Sequence, residues 1–343
     1  MTIINSIECD IKNYVSNTIK KDIQNNKPLE SKLNVIIVIS NPCQYARRYI
    51  LAREFVQRIE NEEKNVNLFI VELVYDKKHK FLVTKPENKN HLQIRTDTAP
   101  LWHKENMINM GVAKLLPKDW KAFAWIDADI EFNNPHWALD TLKVLNGKSD
   151  IVQLFDYCSD LDQNEDTMGM YPSFCYQYIN KRKYNKGSGL NQWHPGYAWA
   201  MTRKAYDQIG GLYDLSILGS GDHNMSLSWI NNSLKSLNGD VQDSYKKTVQ
   251  DFELRSQGLQ LGYVPGLIRH HFHGSKKFRF YNSRWLILVK HKYDPNIHIK
   301  KNKDGLIIPT KECPIELLND ILHYFSIRNE DECFINQVID LAI

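Results

Sequence analysis

Residues 33–40 read Leu-Asn-Val-Ile-Ile-Val-Ile-Ser, an apolar run of strand length that Asn41 and Pro42 stop. The spacing then predicts a helix over 43–60 and a second strand over 65–75. Strand, helix, strand in that order makes a parallel α/β sheet the natural choice. Further strands are expected at 121–126, 150–155, 197–201 and 260–265. Helices are expected over 100–116, 135–145, 203–209, 219–230, 241–258 and 280–292, the first stopped by Pro117 and the third by Gly210 and Gly211. Residues 77–95 read as short strands and loops. Residues 156–191 read as a loop-rich lid or acceptor-binding segment. Ile3, Ile4, Ile7, Ile11, Tyr14, Val15 and Ile19 recur at helical spacing, so 1–31 is expected to form helices packed on the flank. The pattern divides the chain into a helical extension (1–31), a main domain (32–295) and a helical C-terminal extension (296–343).

Composition narrows the class. The 343 residues are 42% hydrophobic, with 17 Tyr, 13 Phe and 8 Trp, which suits a well-cored globular chain. A net charge of +4 does not describe a generic nucleic-acid coat. No apolar run approaches the ~20 residues of a membrane span, and 1–31 has no apolar signal region. The six cysteines are scattered without a C-x-x-C pair, which predicts reduced thiols and a cytoplasmic setting.

Candidate chemistry centres on Asp127-Ala128-Asp129, directly after the strand at 121–126. Carboxylates at a strand's carboxyl end reach a ligand beyond the sheet edge, and hard divalent cations take oxygen ligands while bridging phosphates. A helix N-cap by Asp129 or Asn133 is the competing reading. Near the first strand's end, Tyr45, Arg47, Arg48 and Tyr49 suit a nucleotide base and phosphate, or else a solvated helix face. Lys104, near a helix start, suits a diphosphate. Gly219-Ser-Gly-Asp-His223 opens a helix and either caps it or presents Asp222 and His223 to a cleft. His194-Pro-Gly196 lets the backbone approach a ligand, while Trp193 and Tyr197 offer rings to a sugar face or pack in the core. In Arg269-His-His-Phe-His-Gly274, His271 and His273 alternate on an extended segment and suit a borderline metal such as Mn²⁺. From Arg269 to Lys303 there are ten Lys or Arg and a single acid, Asp294. Such a strip suits an anion.

Together these segments resemble GT-A nucleotide-sugar glycosyltransferases over roughly residues 33–295, including uncharacterised bacterial, phage and giant-virus members and the galactosyltransferase-like group. The resemblance implies a Rossmann-like, mostly parallel sheet flanked by helices. It implies Mn²⁺ or Mg²⁺ held on a UDP-sugar by Asp127 and Asp129, and a late metal-binding histidine at His273 or His271. In the segment similar to the family's Gly-Gly-Phe-Asp … Gly-Glu-Asp, Asp222 matches the catalytic base, and His223 stands where the family has a second acid or Asn. Lys104, Lys276 and Lys277 would share the diphosphate with Tyr45 and Arg48. Trp193, His194, Tyr197 and His223 would face the acceptor. The implied activity is metal-dependent transfer of a hexose to a glycan, lipid or protein hydroxyl, inverting if Asp222 faces away from the leaving group. Two alternatives stand beside it: glucosylation of hydroxymethyl-pyrimidine DNA along the basic strip, and a non-catalytic sugar- or nucleotide-binding protein on the same fold.

Overall fold

The computed structural model describes residues 16–187, 189–281 and 283–332. Residues 1–15 of the expected N-terminal helical extension and 333–343 of the expected C-terminal one therefore lie outside the described residues. The described part of the N-terminal one holds α1 (Asn17–Asn25), which buries Ile19.

The main sheet is built from β1 (Leu33–Ser40), β2 (Val66–Tyr75), β3 (His91–Thr96), β4 (Ala122–Ile126), β6 (Ile151–Gln153), β9 (Ala198–Thr202) and β10 (Leu261–Tyr263). Their spatial order is β10-β6-β9-β4-β1-β2-β3. β9 runs antiparallel to both neighbours, and the other pairings are parallel. Helices α2 (Ala46–Glu62), α3 (Lys104–Lys114), α4 (Trp137–Leu145), α6 (Arg203–Ile209) and α8 (Asp243–Arg255) flank it. This is the mostly parallel, helix-flanked α/β sheet that the sequence pattern predicts.

The unbroken apolar run of β1 follows from its central place, covered on both faces, with Val35, Ile36 and Ile37 fully buried. Asn34 also belongs there because its amide donates to the Ala122 carbonyl (3.1 Å) and accepts from Asn67 (3.1 Å). Beneath β4, Phe123 packs edge-on against Trp120 and Tyr206 at 5.5 and 5.4 Å, and Trp125 stacks on Trp199 at 6.4 Å. Losing one such ring from a core costs about 3–5 kcal/mol. The end of β4, from which Asp127 and Asp129 emerge, is thus held rigidly.

A second sheet, β5-β11-β7-β8, stands across the end of the first: β5 (Ile130–Phe132), β7 (Tyr157–Leu161), β8 (Thr167–Pro172) and β11 (Leu267–His270). Residues 156–191 are therefore not mainly loop. They hold the β7–β8 pair and α5 (Phe174–Ile179). The strand signal was hidden because the buried Ser159 and Asp160 point polar groups at side-chain partners and not at a core.

α3 begins at Lys104, later than the expected residue 100. Trp102 N donates to the Ile217 carbonyl, and the buried His103 ring is held by Tyr75 and the Ile307 carbonyl, so the chain ahead of Lys104 is pinned outside a helix. After α9 (Trp285–Lys290) and α10 (Pro295–His298), β12 (Ile299–Lys301) and β13 (Ile307–Pro309) form a small antiparallel pair before α11 (Ile315–Ser326). Leu317, Ile321, Tyr324 and Phe325 of that helix belong to the same core as the main sheet.

Candidate functional site

A cavity of ≈ 800 Å³ opens where β1 and β4 end at their carboxyl edges. Asp127 and Asp129 line it, as do Tyr45, Arg48, Lys104, Trp193, His194, Tyr197, Asp222, His223, His273 and Lys276. Most of the candidate residues thus meet in one place. His271 and Lys277 do not line it.

The Asp-Ala-Asp turn is fixed by two backbone bonds: Asp127 N donates to the Tyr197 carbonyl (2.8 Å), and His271 N to the Asp129 carbonyl (2.8 Å). The two carboxylates then diverge. Asp127 pairs with Lys104 at the start of α3. Burial raises the Asp127 pKa, opposed by Lys104 and reinforced by Asp129. Burial works against the Lys104 cation, but Asp127 and Asp222 outweigh it and push its pKa up.

Asp129 instead faces two imidazoles. His273 Nε2 lies 3.1 Å from Asp129 Oδ2 and His270 Nε2 lies 3.8 Å from it, while the two Nε2 atoms are 3.2 Å apart. Ring nitrogens that face each other so closely need a proton or a cation between them. Burial opposes the Asp129 charge, yet His273 and His270 hold its carboxyl well below the ordinary range. Asp129 Oδ1 is buried without a hydrogen-bond partner among the described residues. An orphaned carboxylate oxygen beside two imidazoles, all ligand atoms within 4.8 Å, fits a divalent ion with mixed nitrogen and oxygen preference. Mn²⁺ suits that set better than Mg²⁺, which prefers an oxygen shell.

Three expected site residues stand apart from this group. Asp127 is engaged by Lys104 and is not among the grouped residues. His270, not His271, joins Asp129 and His273, since β11 ends there and alternation along it puts Arg269 and His271 on the far side. Both reach Glu131, at 3.6 Å each. Lys277 is exposed and sits 4.0 Å from Glu332, away from the cavity.

His270 is oriented by Asp160, whose Oδ1 lies 2.8 Å from Nδ1. A carboxylate behind a metal-facing imidazole fixes its tautomer and strengthens it as a ligand. Burial disfavours the His270 cation, but hydrogen bonds to Asp129 and Asp160 raise its pKa to about 9. Asp160 also accepts from Tyr197 Oη (3.0 Å) and from Lys276. Tyr197 and Lys276 therefore brace the histidine wall. Neither His270 nor Asp160 stood out in the sequence. The His-His-Phe-His run carried the first, and the acidic run at 160–166 concealed the second.

A second stretch of the lining, joined to the first where the Tyr197 ring also meets His270 (4.7 Å), is aromatic. Gln153 on β6 donates to the carbonyls of His194 (2.9 Å) and Gly196 (3.2 Å), tying the 194–196 turn to the main sheet. His194 stacks on Tyr197 with centroids 4.2 Å apart. Burial lowers the His194 pKa to about 4, and likewise that of His223, which meets Tyr184 Oη at 2.9 Å. Both imidazoles are neutral near pH 7. Trp193 packs edge-on against Phe174 and Tyr184, with its buried indole nitrogen lacking a partner. Asp222 lies in the first turn of α7 (Gly221–Ser228). A Cβ on Gly196 would lie 3.0 Å from His194 Cε1 and 3.1 Å from Asp222 Oδ2, so any side chain there would make one of those two give way by a few tenths of an ångström.

On the β1 side, Tyr45 Oη donates to the carbonyls of Phe325 (3.0 Å) and Ser326 (2.6 Å), and Arg48 forks onto Glu330. The basic strip does not form one track. Arg269 meets Glu131 and Glu165, Lys276 meets Asp160, Arg279 meets Glu330, Lys290 meets Asp320 and Lys301 meets Asp214. Among the described residues no helix is long and apolar enough to cross a membrane.

No family model and no curated protein matches this sequence. Among solved structures the chain is similar to a Drosophila beta-1,4-galactosyltransferase 7 variant, determined with manganese, UDP-Gal and xylobiose. That match has 11% identity and a TM-score of 0.39, covering 84% of this chain and 98% of the other. It is also similar to a Desulfovibrio desulfuricans protein described as a nucleotide-diphospho-sugar transferase, at 11% identity and a TM-score of 0.31, covering 70% of this chain and 82% of the other. Likeness at this level carries no inference about residues or activity.

Proposed function

We propose that this chain is a glycosyltransferase that moves a hexose from a UDP-sugar to an acceptor hydroxyl on a glycan, lipid or protein. One observation carries the reading: Asp129, His270 and His273, with an orphaned carboxylate oxygen, share a single cavity with Asp222 at the carboxyl edge of a parallel sheet. A cavity of ≈ 800 Å³ suits a nucleotide sugar.

Asp129, His270 and His273 would hold the divalent ion, with Asp160 orienting His270. When bound, that ion supplies neutralisation of the charge that develops on the departing diphosphate. Lys104, fixed by Asp127, adds a positive charge beside the same edge. Asp222 takes the acceptor hydroxyl's proton as general base. Trp193 lines the cavity and presents its ring to the acceptor. His194 and His223, held neutral by burial, add no charge of their own beside Asp222. No observation favours the DNA or the non-catalytic reading over this one.

UDP release from a panel of UDP-sugars, with and without Mn²⁺, tests the reading in the wild type and in Asp129→Asn. Metal-dependent release that falls at least about 100-fold in the variant is expected. Absence of UDP binding by either protein would overturn the UDP-sugar assignment.

A further inference from the structure

After α11 the chain lines the cavity with Arg328 and Glu330, and three consecutive acids, Glu330, Asp331 and Glu332, dock on the elements around it. Glu330 is fully buried. It takes a two-pronged contact from Arg48, at 2.8 Å from Nε and 2.6 Å from Nη2. Arg328 Nε lies 2.9 Å and Arg279 Nη1 3.7 Å from the same carboxylate, and His273 Nδ1 is 3.7 Å away. Asp331 accepts from the backbone N–H of Ala46 (3.0 Å) and Arg47 (2.8 Å) at the start of α2. Glu332 accepts from Ser275 N (3.0 Å). The segment lies so close to Gly274 (φ +89°) that a Cβ there would stand 2.7 Å from the Asn329 carbonyl oxygen.

Each partner is an anion receptor: a guanidinium group, a helix N-terminus following the first strand, and a backbone N–H. Among the described residues three guanidiniums face the one carboxylate of Glu330, and Asp129 is the further acid that acts on Arg48. Arg328 Nε, though near Glu330, is buried without an aligned hydrogen-bond partner. A latch that served only to fasten the C-terminus would gain nothing from extra buried cations, because desolvating them costs several kcal/mol each. A diphosphate would match three guanidiniums better than one carboxylate does. His273 places this cluster directly beside the proposed ion site, with its Nε2 on Asp129 and its Nδ1 towards Glu330.

We propose that Arg48, Arg279 and Arg328 form the seat for the diphosphate of the nucleotide ligand, and that Glu330 fills that seat in the free protein as an internal anion. Binding of a diphosphate then displaces the segment 327–332. This rests on the nucleotide-diphosphate reading of the cavity but names a different wall and a different residue.

The test compares the full-length wild type with Glu330→Gln, each titrated with inorganic pyrophosphate and with UDP in the presence of Mn²⁺. A melt of each variant checks folding. Removing the competing charge is expected to tighten pyrophosphate binding roughly 10-fold, within the usual range of coupling between competing contacts. Hydrogen exchange in the wild type gives a second readout free of any substitution: amides of 327–332 should exchange faster once pyrophosphate is added. Unchanged or weaker pyrophosphate binding by a folded Glu330→Gln overturns the proposal. So do unchanged or slower exchange in 327–332 and failure of the wild type to bind pyrophosphate. UDP binding that requires Mn²⁺ but ignores Glu330→Gln would sink this inference and leave the glycosyltransferase reading standing.

Discussion

The two walls of the cavity are built on opposite principles. The histidine wall is a chain of charges in which every member is held by another: Lys276 and Tyr197 on Asp160, Asp160 on His270, and His270 with His273 around Asp129. The aromatic wall has few charges. Trp193 packs on Tyr184, His223 meets the Tyr184 hydroxyl, His194 stacks on Tyr197, and burial keeps the two imidazoles neutral. The first wall is suited to gripping an ion and charged phosphates. The second is suited to a sugar face and a hydroxyl. Asp222 stands at the seam, close to His194 across Gly196 and near enough to Lys104 to raise its pKa.

If the walls are independent, substitutions in one should leave the other's ligand unaffected. The largest effect is expected at the seam. Gly196→Val would force its side chain into His194 and Asp222, and a displacement of about 1 Å at a reacting group costs roughly 100-fold in rate. Turnover should fall by that order while Mn²⁺ affinity, read by titration calorimetry, stays at the wild-type value. A matching loss of Mn²⁺ affinity would show that the walls are coupled. Next in size is Asp160→Asn, which keeps shape but removes the charge behind His270. Outer-shell changes of this kind cost about 10–100-fold in metal affinity. The same titration checks it, and unchanged affinity would remove Asp160 from the metal support.

The walls also differ in how far the sequence disclosed them. Asp129 and His273 were visible because short motifs carried them: two carboxylates after an apolar strand, and a histidine run before a glycine. His270 was hidden by one residue of register. Alternation picked out His271 with His273 only while the strand was assumed to continue past 270, and a turn at Asp129 ends it. Asp160 sat in what read as a loop, because a strand that aims its polar groups at a functional site shows no apolar alternation. Arg279, Arg328 and Glu330 were beyond reach for another reason. Their meaning comes from a contact between residue 48 and residue 330, and no local pattern encodes a pairing at that separation. Main-sheet strands such as β1, by contrast, were legible almost to the residue, since burial on both faces leaves an unbroken apolar run.

The smallest expected effect concerns pH and is read on the aromatic wall. In the folded chain burial lowers the pKa of His194 to about 4, against an ordinary value near 6.5 that the unfolded chain would show. Below about pH 6.5 the unfolded state binds a proton that the folded state refuses, so stability is fully present above that value and falls as pH drops towards 4. His223 has the same depression and the same sign. His194→Gln removes one of these groups while keeping a planar polar side chain beside Gly196. Its melting temperature should therefore decline less steeply than the wild type's between pH 6.5 and 4, with the two curves closest in shape above pH 7. Parallel curves across the acid range would mean that the His194 ring accepts its proton without leaving the stack on Tyr197, and the aromatic wall would then not be the uncharged surface that the comparison requires.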